Sequence, residues 1–187
     1  EWRDLNEIIK AGERMAKIVR GMLDFSRPST GEKEKVNCND VIEEVLDFGQ
    51  NIMLGSQVDV QKNFEVNLPL VMVDINKIRQ LVINLIDNAV DAMQKKGVLK
   101  ISTRIVTVNT DYYVEMEFSN SGSVIKAEDL GKIFDPFFTT KRPGKGTGLG
   151  LAVVQSIIKQ HAGKIFVESP CAGQDTGASF KVRLPVT

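Results

Sequence analysis

Two asparagines four residues apart, Asn84 and Asn88, stand inside the otherwise apolar stretch QLVINLIDNAVDAM at residues 80–93. Side chains at positions i and i+4 of a helix project from the same face, so both amides would point to one place. Asparagine is a mediocre helix former because its side chain competes for backbone hydrogen bonds. The pair therefore indicates either a binding function or a polar boundary on a half-exposed helix.

A glycine-rich run, GKGTGLGL at residues 144–151, opens a second apolar helical pattern. Backbone N–H groups at the start of a helix, with their partial positive charge, are well suited to bind phosphate. The spacing of the run is not that of a Walker sequence, so the chain is not a P-loop protein. Together with the asparagines, the run predicts a nucleotide pocket between a helix and a mobile lid.

The amino-acid composition narrows the classes of function that we expect for the chain. The 187 residues include 24 basic and 24 acidic side chains, and a net charge of zero argues against a nucleic-acid binder. No apolar run reaches the ~18 residues that span a membrane, and no signal-peptide pattern opens the chain, so we expect a cytoplasmic chain without membrane contact. Cys38 and Cys171 lie outside any C-x-x-C pattern and there is one histidine, which makes a zinc site improbable and predicts two reduced, structural cysteines.

The periodicity of apolar residues predicts the elements that position these motifs. Residues 1–27 show a heptad seam, with Pro28 ending the helix, and such a seam needs a partner from another chain or segment. We expect next a helix capped by Asn39 or Asp40, a strand at 57–66, and the asparagine helix running from an Asp74 cap to Gly97.

The second half of the chain predicts a hairpin with a turn at 109–111 and with Val114, Met116 and Phe118 facing inward. A short helix at 127–133, a mobile loop at 139–147, a helix at 148–160 and a closing hairpin formed by 164–168 and 178–184 follow. This order predicts an α+β fold. Its two layers would be one mostly antiparallel sheet and helices on one face, with the N-terminal bundle helix added.

The motifs resemble those of the catalytic ATP-binding domain of bacterial sensor histidine kinases of the two-component type. That domain shares a fold superfamily with gyrase, mismatch-repair and heat-shock chaperone ATPases. The asparagine motif matches Asn84, Asn88 and Ala89, and the phenylalanine motif matches KIFDPFFTTK with Phe134, Phe137 and Phe138. The second glycine motif matches Gly146, Gly148 and Gly150, and KQHAGKI at 159–165 matches the sequence that follows it. The resemblance covers the predicted domain at 37–187.

Residues 1–28 resemble the second helix of the family's dimerisation and phosphotransfer bundle, with 29–36 as a linker. The resemblance implies a homodimer through this helix, a response-regulator receiver domain as partner, and a full-length protein that is membrane-anchored by other segments. The phospho-accepting histidine belongs to the first bundle helix, which we expect to lie outside this chain. His161, the one histidine, stands after the second glycine motif and is expected to be structural. The chain alone should not autophosphorylate on histidine.

The resemblance also implies ATP and Mg²⁺ as cofactors and assigns roles to residues. Asn88 would ligate Mg²⁺, Asn84 would act catalytically at the phosphate end, and Gly148 and Gly150 would let the lid backbone approach the phosphates. The remaining residues expected to bind ATP are Asp91, Asn120, Gly122, Ile125, Phe134, Lys141, Gly146, Thr147 and Leu149. Lys141, Arg142 and Lys145 are each either a counter-charge for phosphate or a solvated loop charge.

The first glycine motif departs from the family pattern Asp-x-Gly-x-Gly, because Asn120 stands at the aspartate and Val124 at the second glycine, with Gly122 kept. A neutral acceptor for the adenine amino group would cost about 1 kcal/mol, which weakens binding roughly five- to tenfold. Asn120→Asp should then tighten binding. Three hypotheses stay open: a working kinase domain, a degenerate scaffold module, and another ATPase or a serine kinase of the superfamily.

Overall fold

The computed structural model describes Gly12 and residues 31–48, 56–142, 146–173 and 175–186. Gly12 is helical, and the heptad prediction for 1–27 otherwise lies outside the described residues.

A five-stranded sheet forms one layer. Its strands are β2 (Gln57–Asn63), β4 (Lys96–Val108), β5 (Asp111–Asn120), β6 (Lys164–Glu168) and β7 (Ala178–Pro185). Across the sheet they lie in the order β2-β4-β5-β7-β6. The pairs β4–β5, β5–β7 and β6–β7 are antiparallel, and β2–β4 is parallel. The predicted α+β class with a mostly antiparallel sheet is confirmed.

Three helices, α1 (Cys38–Phe48), α2 (Ile75–Ala92) and α3 (Gly150–Gln160), supply the other layer. Alternation along β5 turns Val114, Met116 and Phe118 toward them, as predicted, and all three are at most 1% exposed. The apolar stripe of α2, which includes Leu81 and Leu85, is equally buried. Because this stripe fixes the rotation of α2, it also fixes the direction in which the asparagines point.

Two short strands, β1 (Glu34–Val36) and β3 (Val71–Val73), pair antiparallel in a separate sheet. The sequence analysis missed both, because three residues are too few to show alternation. The last residues of the predicted linker are therefore a strand. Just before it, the Lys33 ammonium donates to the carbonyl of Gln160 at 3.1 Å, which ties this segment to the end of α3.

The predicted cap of α2 is confirmed, because Asp74 Oδ1 accepts from the N–H groups of Asn76 and Lys77 at 3.0 and 3.3 Å. The predicted end at Gly97 is wrong. The helix ends at Ala92, Gln94 and Lys95 turn the chain with positive φ angles of 52° and 67°, and Gly97 lies within β4. The helical periodicity fades over these turn residues without a proline to mark the stop.

Three other predicted boundaries are wrong. Asn37, and neither Asn39 nor Asp40, caps α1, since its Oδ1 accepts from the Asn39 N–H at 2.9 Å. Strand β2 ends at Asn63 rather than at residue 66. Residues 127–134 form consecutive turns and no regular helix, with hydrogen bonds that alternate between i−3 and i−4 acceptors around Gly131.

The sheet face turned away from the helices carries an ion-pair network centred on Glu115, whose side chain is fully buried. Arg104 and Arg183 both donate to its carboxylate, at 2.7 and 2.6 Å. Burial alone would raise the pKa of Glu115, but the hydrogen bonds from the two guanidinium groups outweigh it and hold the pKa below its usual value.

His161 connects the end of α3 to the start of α2. Its Nδ1–H donates to the Ile157 carbonyl at 2.7 Å, and its Nε2 accepts from the Asp74 N–H at 3.0 Å. Burial lowers the pKa of the imidazole below its usual value. A buried, neutral histidine with both nitrogens satisfied has the structural role that was expected of it.

Candidate functional site

The asparagines of α2 meet the start of α3. A Cβ atom added at Gly150 would lie 3.7 Å from both Asn84 Oδ1 and Asn88 Nδ2. Both asparagines and Gly150 are half-buried. The structure therefore brings together the asparagine motif and the end of the second glycine motif, which are far apart in the sequence.

A basic residue of the lid, Lys141, lies beside Asn88. The Lys141 ammonium is 3.4 Å from Asn88 Oδ1 and 2.5 Å from Asp91 Oδ2. Lys141 is thus paired with a carboxylate of α2 while remaining partly exposed. Arg142 is exposed, and Lys145 lies outside the described residues. The amide oxygen of Asn88 already faces a positive charge.

Two glycines hold the described ends of the lid against each other. Gly148 has a φ of +67° and its carbonyl accepts from the Phe137 N–H at 3.0 Å. A Cβ at Gly148 would fall 2.3 Å from the Phe137 carbonyl carbon, and one at Gly146 would fall 2.7 Å from Thr139 Oγ1. Gly148 thus requires glycine both for the close approach of backbone and for its own conformation, whereas a Cβ at Gly146 would displace side chains only.

The N-terminus of α3 has backbone N–H groups that can donate hydrogen bonds to a ligand. The residue before the helix, Leu149, is buried and makes no side-chain capping bond, while its own N–H donates to Thr147 Oγ1 at 3.3 Å. The first N–H groups of a helix have no intrahelical acceptor, and an anion such as phosphate satisfies them. Gly150, the first residue of this helix, lies beside Asn84 and Asn88.

At the end of β5, Asn120 is buried and both ends of its amide are engaged. Its Oδ1 accepts from the Gly122 N–H at 2.9 Å, and its Nδ2 donates to the Ala178 carbonyl at 3.0 Å. A donor on one side and an acceptor on the other fix the amide orientation. Asn120 therefore joins the ends of β5 and β7 as well as standing at the expected adenine position.

The segment after Asn120 passes close to the end of α2. A Cβ at Gly122 would lie 2.5 Å from the Ala92 carbonyl carbon, and the Ser123 N–H donates to the Ala92 oxygen at 3.2 Å. Val124 is 42% exposed and does not fill the core. The Ile125 N–H donates to Ser169 Oγ at 2.9 Å, and Phe134 packs half-buried against the core.

An open cavity of about 580 Å³ adjoins this segment, lined by Ala92, Met93, Gln94, Lys96, Ser121, Gly122 and Ser123. Apart from Gly122, the sequence analysis named none of these as site residues. Their only signal is position, since they directly follow the asparagine motif and flank the first glycine motif.

The family model for histidine kinase-, DNA gyrase B- and HSP90-like ATPases matches residues 73–187, which is more than half of the chain. The chain belongs to this family. It is 35% identical over 193 residues to the sensor kinase CckA of Brucella abortus, an alignment that covers 97% of this chain and 20% of that protein. This ATPase domain thus spans about a fifth of the length of that relative, and 38% of the sensor histidine kinase ZraS of Salmonella typhimurium.

Solved structures agree with the fold. The nucleotide-free catalytic domain of histidine kinase ThkA superposes with a TM-score of 0.71 at 33% identity, covering 83% of this chain and 97% of that chain. ThkA in complex with the response regulator TrrA gives 0.78 at 30% identity, covering 99% of this chain and 51% of that chain. Among the described residues of this ATPase domain, none of the helices is both long and apolar enough to cross a bilayer.

Proposed function

We propose that this chain is the ATP-binding catalytic part of a sensor histidine kinase. It would transfer the γ-phosphoryl group of ATP to a histidine on the first helix of a phosphotransfer bundle, for relay to a response-regulator aspartate. Membership of the ATPase family supports nucleotide binding. Relatives named as sensor kinases, and the ThkA complex with its response regulator, support the kinase class and the partner class.

One observation carries the proposal: Asn84 and Asn88 flank Gly150 at the uncapped start of α3. Amide oxygens are hard donors of the kind that Mg²⁺ accepts, and a magnesium ion keeps several waters and shares substrate phosphates. The Asn88 oxygen already faces an ammonium group, so the position favours a cation. The residues therefore fit a Mg-ATP complex, with Asn88 holding the metal.

The remaining roles follow from position. Asn84 would bond a phosphate oxygen or a metal-bound water, and the start of α3 would bind phosphate through backbone N–H groups. The bound metal would neutralise charge that develops on the transferred phosphoryl group. Gly146, Thr147, Gly148 and Leu149 would shape the lid over the phosphates. Asn120, Gly122, Ile125 and Phe134 would line the adenine end.

The comparisons give no support to the degenerate-scaffold alternative. The whole protein would act as a homodimer through its N-terminal helix, from the cytoplasmic side of a membrane to which other segments anchor it. These features rest on the family resemblance and on the names of the relatives.

Calorimetric titration of the chain with Mg-ATP tests the proposal. Asn88→Ala should weaken binding about ten- to a hundredfold, which is the range expected when a contact to a charged group is lost. Asn63→Ala, an exposed asparagine at the end of β2, is the matched control and should change nothing. A wild-type Kd far above millimolar would sink the proposal. With labelled ATP, the chain alone should acquire no acid-labile label that depends on His161.

A further inference from the structure

A lysine ammonium stands where the proposed function needs a metal. Lys141 Nζ lies 3.4 Å from Asn88 Oδ1 and 2.5 Å from Asp91 Oδ2, so it contacts the proposed metal ligand and the carboxylate one turn further along α2. The side chains of Lys141 and Asp91 are 32% and 48% exposed. The pair is therefore partly screened by water, and it is weak enough to be broken by a stronger ligand.

The ammonium and a magnesium ion cannot share this position. Mg²⁺ demands oxygen ligands at about 2.0–2.1 Å in near-octahedral geometry, and it brings two positive charges. An ammonium in hydrogen-bond contact with the same amide oxygen would repel the ion and occupy part of its hydration shell. Lysine is suited to leaving, since its compact charge sits on a flexible four-carbon stem.

We infer that Lys141 is a cation placeholder: its ammonium occupies the Asn88 cation position until Mg²⁺ arrives with ATP and displaces it, and Asp91 sets the strength of the hold. This rests on the proposed function, because it takes Asn88 to be the metal ligand. It gives Asp91, which the sequence analysis counted among the ATP-binding residues, a different role. Asp91 positions the lysine and opposes the nucleotide complex.

The placeholder is connected to the lid backbone. A Cβ at Gly146 would meet Thr139 Oγ1 at 2.7 Å and Lys141 Cδ at 3.1 Å, and Thr139 Oγ1 accepts from the Lys141 N–H at 3.2 Å. Displacing the ammonium therefore changes the packing of both described ends of the lid. Exchange of one cation for another would couple metal arrival to the packing of Thr139, Lys141 and Gly146.

The size of the effect follows from the exposure of the pair. Partly exposed ion pairs hold with a strength that corresponds to about a 1.5- to fivefold change in an equilibrium constant. Removing the Asp91 charge should thus tighten Mg-ATP binding by about 1.5- to fivefold. ATP without metal has no need to displace the ammonium from Asn88, so its affinity should change by less than 1.5-fold on the same scale.

The test compares Asp91→Asn with the wild-type chain by calorimetry, using Mg-ATP in one series and ATP with excess EDTA in the other. Glu43→Gln is the matched control, because Glu43 forms a similarly exposed pair with Lys62 at 2.7 Å, with the side chains 41% and 44% exposed, and touches no site residue. A second readout needs no nucleotide. In both Asp91→Asn and Lys141→Met, amide hydrogen exchange in peptides covering 137–142 and 146–149 should be faster than in wild type.

Tightening with Mg-ATP alone, together with faster exchange in the lid peptides, supports the placeholder. Weaker Mg-ATP binding by Asp91→Asn would overturn it, because Asp91 would then be a direct ligand of the complex. Equal tightening with and without Mg²⁺ would also overturn it, since simple repulsion between Asp91 and phosphate would explain that result. A wild-type chain that binds no Mg-ATP defeats the proposed function itself, which is a distinct outcome.

Discussion

Asn120→Asp restores the side chain of the family motif and separates two roles of this position. From the sequence, the carboxylate should improve the contact to adenine. In the structure, however, the Asn120 Nδ2 donates to the Ala178 carbonyl at 3.0 Å while Oδ1 accepts from the Gly122 N–H at 2.9 Å. A carboxylate keeps the second bond and loses the first, because it has no donor.

The cost follows from burial. Asn120 is 4% exposed and Ala178 is 2% exposed, so water cannot readily replace the lost donor. The buried Ala178 carbonyl, the register partner of Asn120 in the β5–β7 ladder, loses this side-chain hydrogen bond, and a carboxylate facing a carbonyl oxygen adds repulsion. The free energy of unfolding of the ligand-free chain should therefore fall by about 1–3 kcal/mol at neutral pH. Toward pH 4 the deficit should shrink, because a protonated carboxyl group again has a donor.

Urea denaturation of both chains, with and without Mg-ATP, measures the two effects separately. Without ligand, the variant should be less stable than the wild-type chain. At the same Mg-ATP concentration its free energy of unfolding should rise by more than that of wild type, since a ligand stabilises according to its affinity for the native state. Asn63→Asp, at an exposed position, controls for the added charge. Unchanged or higher stability of the ligand-free variant would refute the assigned role of the Asn120 amide, and looser nucleotide binding would refute the placement of adenine.

Three further predictions concern single positions. Gly148→Ala places a Cβ 2.3 Å from the Phe137 backbone at a φ of +67°. Calorimetry should therefore show Mg-ATP binding weakened at least about tenfold. Unaltered affinity would mean that the lid adapts to the added Cβ. The free energy of unfolding should decline as pH falls below about 6.5, because the pKa of His161 is lowered in the folded chain and a protonated Nε2 cannot accept from the Asp74 N–H. His161→Gln should flatten that decline in urea denaturation. A pH profile identical to that of wild type would contradict this prediction. Glu115→Gln leaves two arginines facing each other, so thermal or urea unfolding should show a loss of about 1–3 kcal/mol, and a more stable variant would show that the network is not needed.

The parts of the fold that could be predicted are those with a sustained period. The apolar stripe of α2 and the alternation of β5 each run for several turns or residue pairs, which fixed both their type and their buried face. The Asp74 cap was found because a carboxylate directly precedes such a stripe. Strands β1 and β3 have three residues each and no period to read, and their existence depends on each other across the chain.

The candidate site divides in the same way. The order of the motifs predicts the proximity of Asn84, Asn88 and Gly150, and the structure shows it. The pairing of Lys141 with Asp91 and Asn88 had no local signal, because it joins a lid to a helix fifty residues away, and sequence reasoning left Lys141 balanced between phosphate ligand and solvated charge. Such contacts depend on how the lid returns to the helix, and no propensity scale contains that.

Asn120, at the expected adenine end of the site, shows why the effect of a motif substitution depends on the residues around it. From the sequence, Asn120 is a loss: a neutral group replaces a charge at the adenine contact. In the structure the same amide contributes a hydrogen bond that the charged residue cannot make, to a strand whose residue 178 is alanine and offers only its backbone carbonyl. Asn120 therefore fits its neighbours, because its amide joins β5 and β7 at this end. Replacing Ala178 by a residue with a hydroxyl donor, Ala178→Thr, should recover part of the stability that Asn120→Asp loses, about 1 kcal/mol for one regained hydrogen bond. In the wild-type chain the same change should lower stability, because the larger side chain overpacks this buried position. Strictly additive effects in this double-mutant cycle would show that the two positions are not coupled.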